Sequence, residues 1–217
     1  DAVHAYFTQI AGSVDVDVTL YNIPMFASPI DVETATRLAL EQPRIVGIKD
    51  SSGDLPNMLR MMAAIRPQRD DFSFLTGWDP SLAPMLIAGI DGGTNASSGV
   101  VPELTRSIYR SVHTGQIDRA MDLQYDLLAL FDCMIGLGEF PDGFRAGAHS
   151  RGWDLGDGRV PYSNARRKKV ADAQPQIDAK IRAILQKLEK SSPRDAVSTQ
   201  SIESVVHQVL QRLGTTK

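Results

Sequence analysis

The chain has 217 residues and a formal charge of -3, with 42% hydrophobic and 23% charged residues, which suits one good core or two small domains of ordinary soluble composition. The mild acidity gives no reason to expect nucleic acid, and one cysteine, Cys133, excludes an internal disulfide and fits a reducing compartment. No segment is apolar enough to span a membrane and no signal-peptide pattern opens the chain, so a cytosolic protein is expected; His4, His113, His149 and His207 form no ligand spacing, so a metal-dependent mechanism is not supported.

Residues 2 to 11 place Val3, Tyr6, Phe7 and Ile10 at helical spacing with no start signal, which suggests that something precedes them. Val14 to Tyr21 reads as a strand, broken by Asn22-Ile23-Pro24. Asp31 caps a helix to about Glu41 that turns Val32, Ala35, Leu38 and Ala39 inward. Ile45, Val46, Gly47 and Ile48 have the β-branched content of a strand buried on both faces, and Lys49 ends that run. A helix over Leu55 to Ile65 follows, then a strand over Phe72 to Thr76 ending in Gly77-Trp78-Asp79. Ser81 to Ala88 is helical and Gly89 stops it; Gly92 to Ser98 is a fourth short strand and loop before a helix from Pro102 to Val112.

Four strands, each followed by a helix, are the repeat of a parallel α/β fold, either a doubly wound sheet or a (β/α)8 barrel. In both, chemistry sits at the carboxyl ends of the strands, where Tyr21, Lys49, Trp78 with Asp79, and Thr94 with Asn95 fall. After Gly115 only helices are expected. Ile117, Met121, Tyr125 and Leu128 set an apolar stripe on one running to about Met134, where Cys133 reads as a buried structural thiol. Phe140-Pro141-Asp142-Gly143 is a turn before a short helix, Gly152 to Pro161 a loop, and Asp172 to Lys190 the last long helix, with Ile177, Ile181, Ile184, Leu185 and Leu188 inward. Arg166, Arg167, Lys168 and Lys169 read as a solvated helix start rather than an anion site. Ser191 to Thr199 has linker composition, and Ile202, Val205, Val206, Val209, Leu210 and Leu213 line one face of a short amphipathic helix stopped by Gly214. The expected organisation is therefore 1–115, 116–190, a linker at 191–200 and a helix at 201–214.

Lys49 is the expected nucleophile. A lysine stem entering an apolar wall loses ammonium hydration, which favours the free amine that Schiff-base chemistry requires. Taken alone, the same residue reads more readily as a strand-end lysine snorkelling to solvent. Gly92-Gly93-Thr94-Asn95 lacks the Gly-Lys-Ser/Thr ending of a phosphate loop, and Asn95-Ala96-Ser97, though a glycosylation sequon, is discounted without a secretion signal.

Taken together, Tyr21-Asn22-Ile23-Pro24, Gly47-Ile48-Lys49-Asp50, Gly77-Trp78-Asp79 and Gly92-Gly93-Thr94-Asn95-Ala96-Ser97 resemble, in order and spacing, the dihydrodipicolinate synthase and N-acetylneuraminate lyase family from residue 1 to about 190. The resemblance implies an α/β (β/α)8 TIM barrel followed by a C-terminal helical bundle, of which this chain carries strands five to eight. Strands one to four are then absent, with the Gly-Thr-Thr turn and second tyrosine of the family. Four strands cannot close such a barrel, so the chain reads as a piece of a longer protein, inactive alone.

The resemblance further implies a class I aldolase that needs no cofactor and no metal. In it Lys49 attacks pyruvate or another small-molecule 2-oxo acid, Tyr21 moves the proton, and the Thr94 backbone lines the imine pocket. Two departures narrow the substrate. Met25-Phe26-Ala27-Ser28 stands where dihydrodipicolinate synthases carry an arginine for a second carboxylate. Trp78-Asp79 looks like a lyase-type pair, with Asp79 accepting from sugar hydroxyls and Asn95 and Ser97 adding contacts. Cleavage of a 2-keto-3-deoxy sugar acid or sialic-acid-like compound to pyruvate and an aldehyde is expected. The alternatives are dehydration of a keto-deoxy sugar acid, or an inactive fragment acting as an interaction module. Residues 201–214 resemble the encapsulation peptides of bacterial microcompartments, which implies a shell-protein partner there; a helix folded back on its own barrel or on a neighbouring subunit competes with that reading. A homo-oligomer is expected by analogy with family tetramers.

Overall fold

A computed structural model describes residues 2–191 apart from 157 and 160, so the expected linker and amphipathic helix at 201–214 lie outside the described residues. Helix α1 (Ala2–Ser13) leads into β1 (Val18–Asn22), α2 (Val32–Glu41), β2 (Ile45–Asp50), α3 (Leu55–Ile65), β3 (Ser73–Thr76), α4 (Leu82–Ile87), β4 (Gly92–Gly93) and α5 (Pro102–His113). Then come α6 (Ile117–Ile135), α7 (Asp142–Ser150) and α8 (Asn164–Ser191). The helix starts are set by local chemistry. Asp31 accepts from the Thr34 amide at 2.7 Å, a bond that also holds its carboxyl below the usual range, and Asp54 accepts from the Asn57 amide at 2.8 Å at the head of α3.

The strands form one parallel sheet in the order β1-β2-β3-β4. Its register sets Leu20, Ile48 and Phe74 side by side, all fully buried beneath the helices. Strand alternation sends Thr19, Tyr21 and Ser73 to the other face, where they are exposed, and Lys49 there is half-buried. The second strand is buried on both faces as expected, with Ile45 and Gly47 on the Lys49 face and Ile48 on the other. Within the described residues β1 and β4 are the sheet edges.

Other boundaries also move. β1 begins at Val18, because residues 14–17 form an exposed approach in which Val16 is 65% exposed and Asp15 pairs with Arg44. The α6 stripe is shifted in phase: Ala120, Leu123, Gln124, Leu127, Leu130, Phe131 and Met134 are buried, while Ile117 and Tyr125 are exposed. The small Ala120 and polar Gln124 hid that face from a search for large apolar side chains. Cys133 is half-buried and packs against the core.

α8 starts at Asn164, eight residues ahead of the expected Asp172, and Arg166 in its first turn is not a solvated residue. Its guanidinium donates to both oxygens of the buried Asp142 at 2.6 and 2.9 Å and to Glu139 at 2.9 Å, and the Tyr162 hydroxyl also donates to Asp142. These bonds, the arginine's first, pull the Asp142 carboxyl down to about 2, and the same carboxylate pushes the Tyr162 phenol up. The cluster ties the head of α7 to the head of α8, while Ser150 donating to Asp178, and Gln174 donating to the Ala146 carbonyl and the Ser150 hydroxyl, tie the same helices farther along.

Candidate active site

Tyr21 and Lys49 are register partners at the carboxyl ends of β1 and β2. The residue after each points to the opposite face and locks the pair. Asn22 donates to Asp50 at 2.8 Å and accepts from the Ile30 amide at 3.0 Å. Asp50 also accepts from the Ser52 amide at 3.0 Å and the Ser52 hydroxyl at 2.8 Å. Both residues are buried, so this satisfied network fixes the strand ends against slippage. The Lys49 ammonium consequently faces not Asp50 but the Tyr21 ring, with Nζ 4.1 Å from its centroid.

The next strand end is shaped to leave room for the lysine. A Cβ on Gly77 would lie 2.4 Å from the Lys49 Cε and 2.0 Å from the Ser51 Oγ, so a side chain there would displace both. Gly53, at a φ of 76°, turns the chain so closely over Trp78 that a side chain would strike the indole.

These groups open onto a cleft of about 300 Å³. Tyr21, Lys49, Ser51, Thr94 and Asn95 supply its polar part; Trp78 and apolar side chains from the β1–α2 segment and from the helical region supply the rest. Thr94 is exposed, Asn95 is nearly buried with its side-chain nitrogen unpartnered, and Ser97 is fully buried with an unpartnered hydroxyl and lies outside the cleft lining.

Asp79 is held by the loop after β4. It is 1% exposed, and its carboxylate accepts from the Ser97 amide at 2.8 Å and the Ala96 amide at 3.3 Å. Its backbone carbonyl accepts from buried Gln124 on α6, whose own oxygen accepts from the Ala83 amide at 2.7 Å. A carboxylate engaged in this way shapes the loop after β4. Sequence reasoning gave no role to Gly77, Ser51, Asn22 or Gln124. Asn22 and Asp50 were open to inference, since strand alternation places the neighbours of a paired Tyr21 and Lys49 together on the other face. Among the described residues no three His, Cys, Asp or Glu side chains gather as a metal-binding set, and no helix is long and apolar enough to cross a membrane.

The profile of the dihydrodipicolinate synthetase family matches residues 1–183. The chain belongs to that family. It is 38% identical to a probable 2-dehydro-3-deoxy-D-pentonate aldolase of Escherichia coli over 58% of this chain and 42% of that protein. It is 36% identical to a 4-hydroxy-tetrahydrodipicolinate synthase of Methanopyrus kandleri over 60% of this chain and 43% of that protein. Among solved structures, dihydrodipicolinate synthase from Bacillus anthracis superposes with a TM-score of 0.70 at 25% identity, covering 80% of this chain and 59% of that one. The chain thus spans about two-fifths of these two curated relatives, and its four-stranded parallel sheet corresponds to part of the family's barrel.

Proposed function

We propose that the full-length protein is a class I aldolase that cleaves a 4-hydroxy-2-oxo acid of the keto-deoxy type to pyruvate and an aldehyde through a Schiff base on Lys49. The observation that carries this reading is the placement of the Lys49 nitrogen 4.1 Å from the Tyr21 ring centre, at adjacent strand ends and in a cleft. Among the described residues that nitrogen has no carboxylate in ion-pair reach. The amine adds to the C2 ketone and water leaves, giving a protonated imine. Tyr21 relays the proton away from the C4 hydroxyl as the C3–C4 bond breaks, and the electron pair moves into the imine to form an enamine. The aldehyde departs, C3 is protonated, and water hydrolyses the imine to release pyruvate and the free amine. The name of the Escherichia coli relative supports the keto-deoxy class. A sialic-acid-like substrate finds less support, because Asp79 is already engaged by backbone amides. The protein is further proposed to act as a homo-oligomer, in keeping with its family.

Borohydride added to the full-length protein with pyruvate is expected to fix pyruvate mass on the Lys49 peptide and to leave a Lys49→Ala variant unmodified. Mass fixed elsewhere, or retained in the variant, refutes the Schiff-base assignment.

A further inference from the structure

The aldehyde leaving group has to occupy the part of the cleft beyond Lys49 and Tyr21, and the chemistry of that part is uneven. Five aromatic rings follow one another along it. Trp78 meets Phe131 edge-on at 5.3 Å, Phe131 meets Phe144 at 5.9 Å, Phe144 meets Phe140 at 5.7 Å, and Phe140 meets Phe26 at 6.0 Å. The rings come from three separate stretches of chain, the β1–α2 segment, the β3 end and the α6–α7 region, yet all line the same cleft. The last pair in the series, Phe26 and Phe140, are tilted against each other and both line the cleft. Lys49 is the only basic group lining the cleft among the described residues, and its one acid, Asp79, is occupied by amides 96 and 97. The ring wall itself carries one hydrogen-bonding group, the Trp78 indole N–H at the end of the series opposite Phe26; the other hydrogen-bonding side chains of the cleft are Tyr21, Lys49, Ser51, Asp79, Thr94 and Asn95.

We infer that the preferred substrate is polar near the reacting carbons and apolar at its far end: a 4-hydroxy-2-oxo acid whose aldehyde half terminates in a methyl or larger hydrocarbon group, recognised by Phe26 and Phe140. This rests on the Schiff-base reading and adds the identity of the leaving half. A terminal hydroxyl set against that ring wall gives up its water without a replacement partner, and a terminal carboxylate gives up far more. A terminal methyl loses nothing and gains contact with the rings.

The test runs the reaction in the bond-forming direction with the full-length protein. Pyruvate C3, as the enamine, joins the aldehyde carbonyl carbon, and the aldehyde oxygen takes up a proton. Lactaldehyde and glyceraldehyde differ only by the terminal hydroxyl, so their ratio of kcat/KM isolates the wall. The expected ratio favours lactaldehyde by about tenfold or more, the range in which an apolar pocket discriminates against one added hydroxyl. Phe26→Ser and Phe140→Ala are each expected to bring the ratio toward one. Borohydride trapping of pyruvate on the unaltered protein is measured alongside. Trapping at Lys49 with a ratio at or below one overturns the apolar-end assignment while the Schiff-base reading stands. A high ratio that neither variant lowers overturns the assignment to Phe26 and Phe140. Absence of trapping overturns both readings together.

Discussion

Two buried carboxylates, Asp50 at the end of β2 and Asp142 at the head of α7, are stabilised by opposite means. Asp50 is 0% exposed and accepts from neutral donors only: the Asn22 amide group and the amide and hydroxyl of Ser52. Asp142 is 2% exposed and is held by the Arg166 guanidinium together with the Tyr162 hydroxyl and the Glu139 amide. The difference follows what each region has to do. Beside Lys49, the proposed nucleophile, neutral donors fix the backbone without adding a second cation. In the helical region no such constraint operates, and a charge pair joins α7 to α8 through a forked contact.

That contrast can be broken by substitution. The largest effect belongs to Lys49→Ala: kcat for aldol cleavage in the full-length protein is expected to fall by on the order of 10⁴ or more with the melting temperature nearly unchanged, as measured by pyruvate release and thermal unfolding. An equal loss from an Asp142 substitution in folded protein would erase the distinction between the two regions. Asp142→Asn is expected instead to cost about 3 kcal/mol of stability, because it removes the charge from a buried forked pair, and to leave kcat of the folded fraction within a few-fold. Denaturant unfolding at neutral pH checks the first part and active-site-normalised turnover the second.

The pair also predicts an acid response. The folded carboxyl of Asp142 titrates at about 2, below its ordinary 3.8, so its contribution is fully present above that ordinary value and disappears as the pH falls from 3.8 toward 2. Asp142→Asn removes this contribution at all pH values, so the gap in stability between unaltered protein and variant should be widest near neutrality, narrow below pH 3.8 and close as the pH reaches about 2. A gap that stays constant with pH would show that the carboxylate charge is not the stabilising feature.

Smaller effects sharpen the account of the site. Gly77→Ala should lower kcat by about 100-fold through displacement of the Lys49 stem, a misplacement of the reacting group and not a loss of it. Trapping of pyruvate in this variant should slow but still map to Lys49. The smallest effect is expected from Asp50→Asn, about 1 to 2 kcal/mol of stability, since the neutral amide can replace only part of the acceptor set used by Asn22 and Ser52.

The sequence made the strand–helix repeat legible because each strand ends in its own turn chemistry and each helix carries a spaced apolar face. Lys49 and Tyr21 were legible for a related reason: a polar residue closing an apolar strand stands out at a fixed place in this fold. The structural ties of Asp79 were not legible, because its partners are two backbone amides of a loop distant in sequence. Arg166 was misread, since a run of four basic residues looks solvated until the Asp142 carboxylate, contributed by α7, is placed beneath it. The ring wall from Trp78 to Phe26 has no local signal at all; its members become neighbours only when the helical region folds over the strand ends.

The central claim is that Lys49 and Tyr21 act on one bound 2-oxo acid, the amine forming the imine and the phenol moving the proton at the adjacent carbon. It is tested most directly by following deuterium entry into the methyl group of pyruvate by NMR in D2O with the full-length protein. The unaltered protein should catalyse exchange, Lys49→Ala should reduce it to the uncatalysed rate, and Tyr21→Phe should slow it by about 10² or more while borohydride still fixes pyruvate on Lys49. Exchange that persists in Lys49→Ala, or that Tyr21→Phe leaves untouched, would contradict the account.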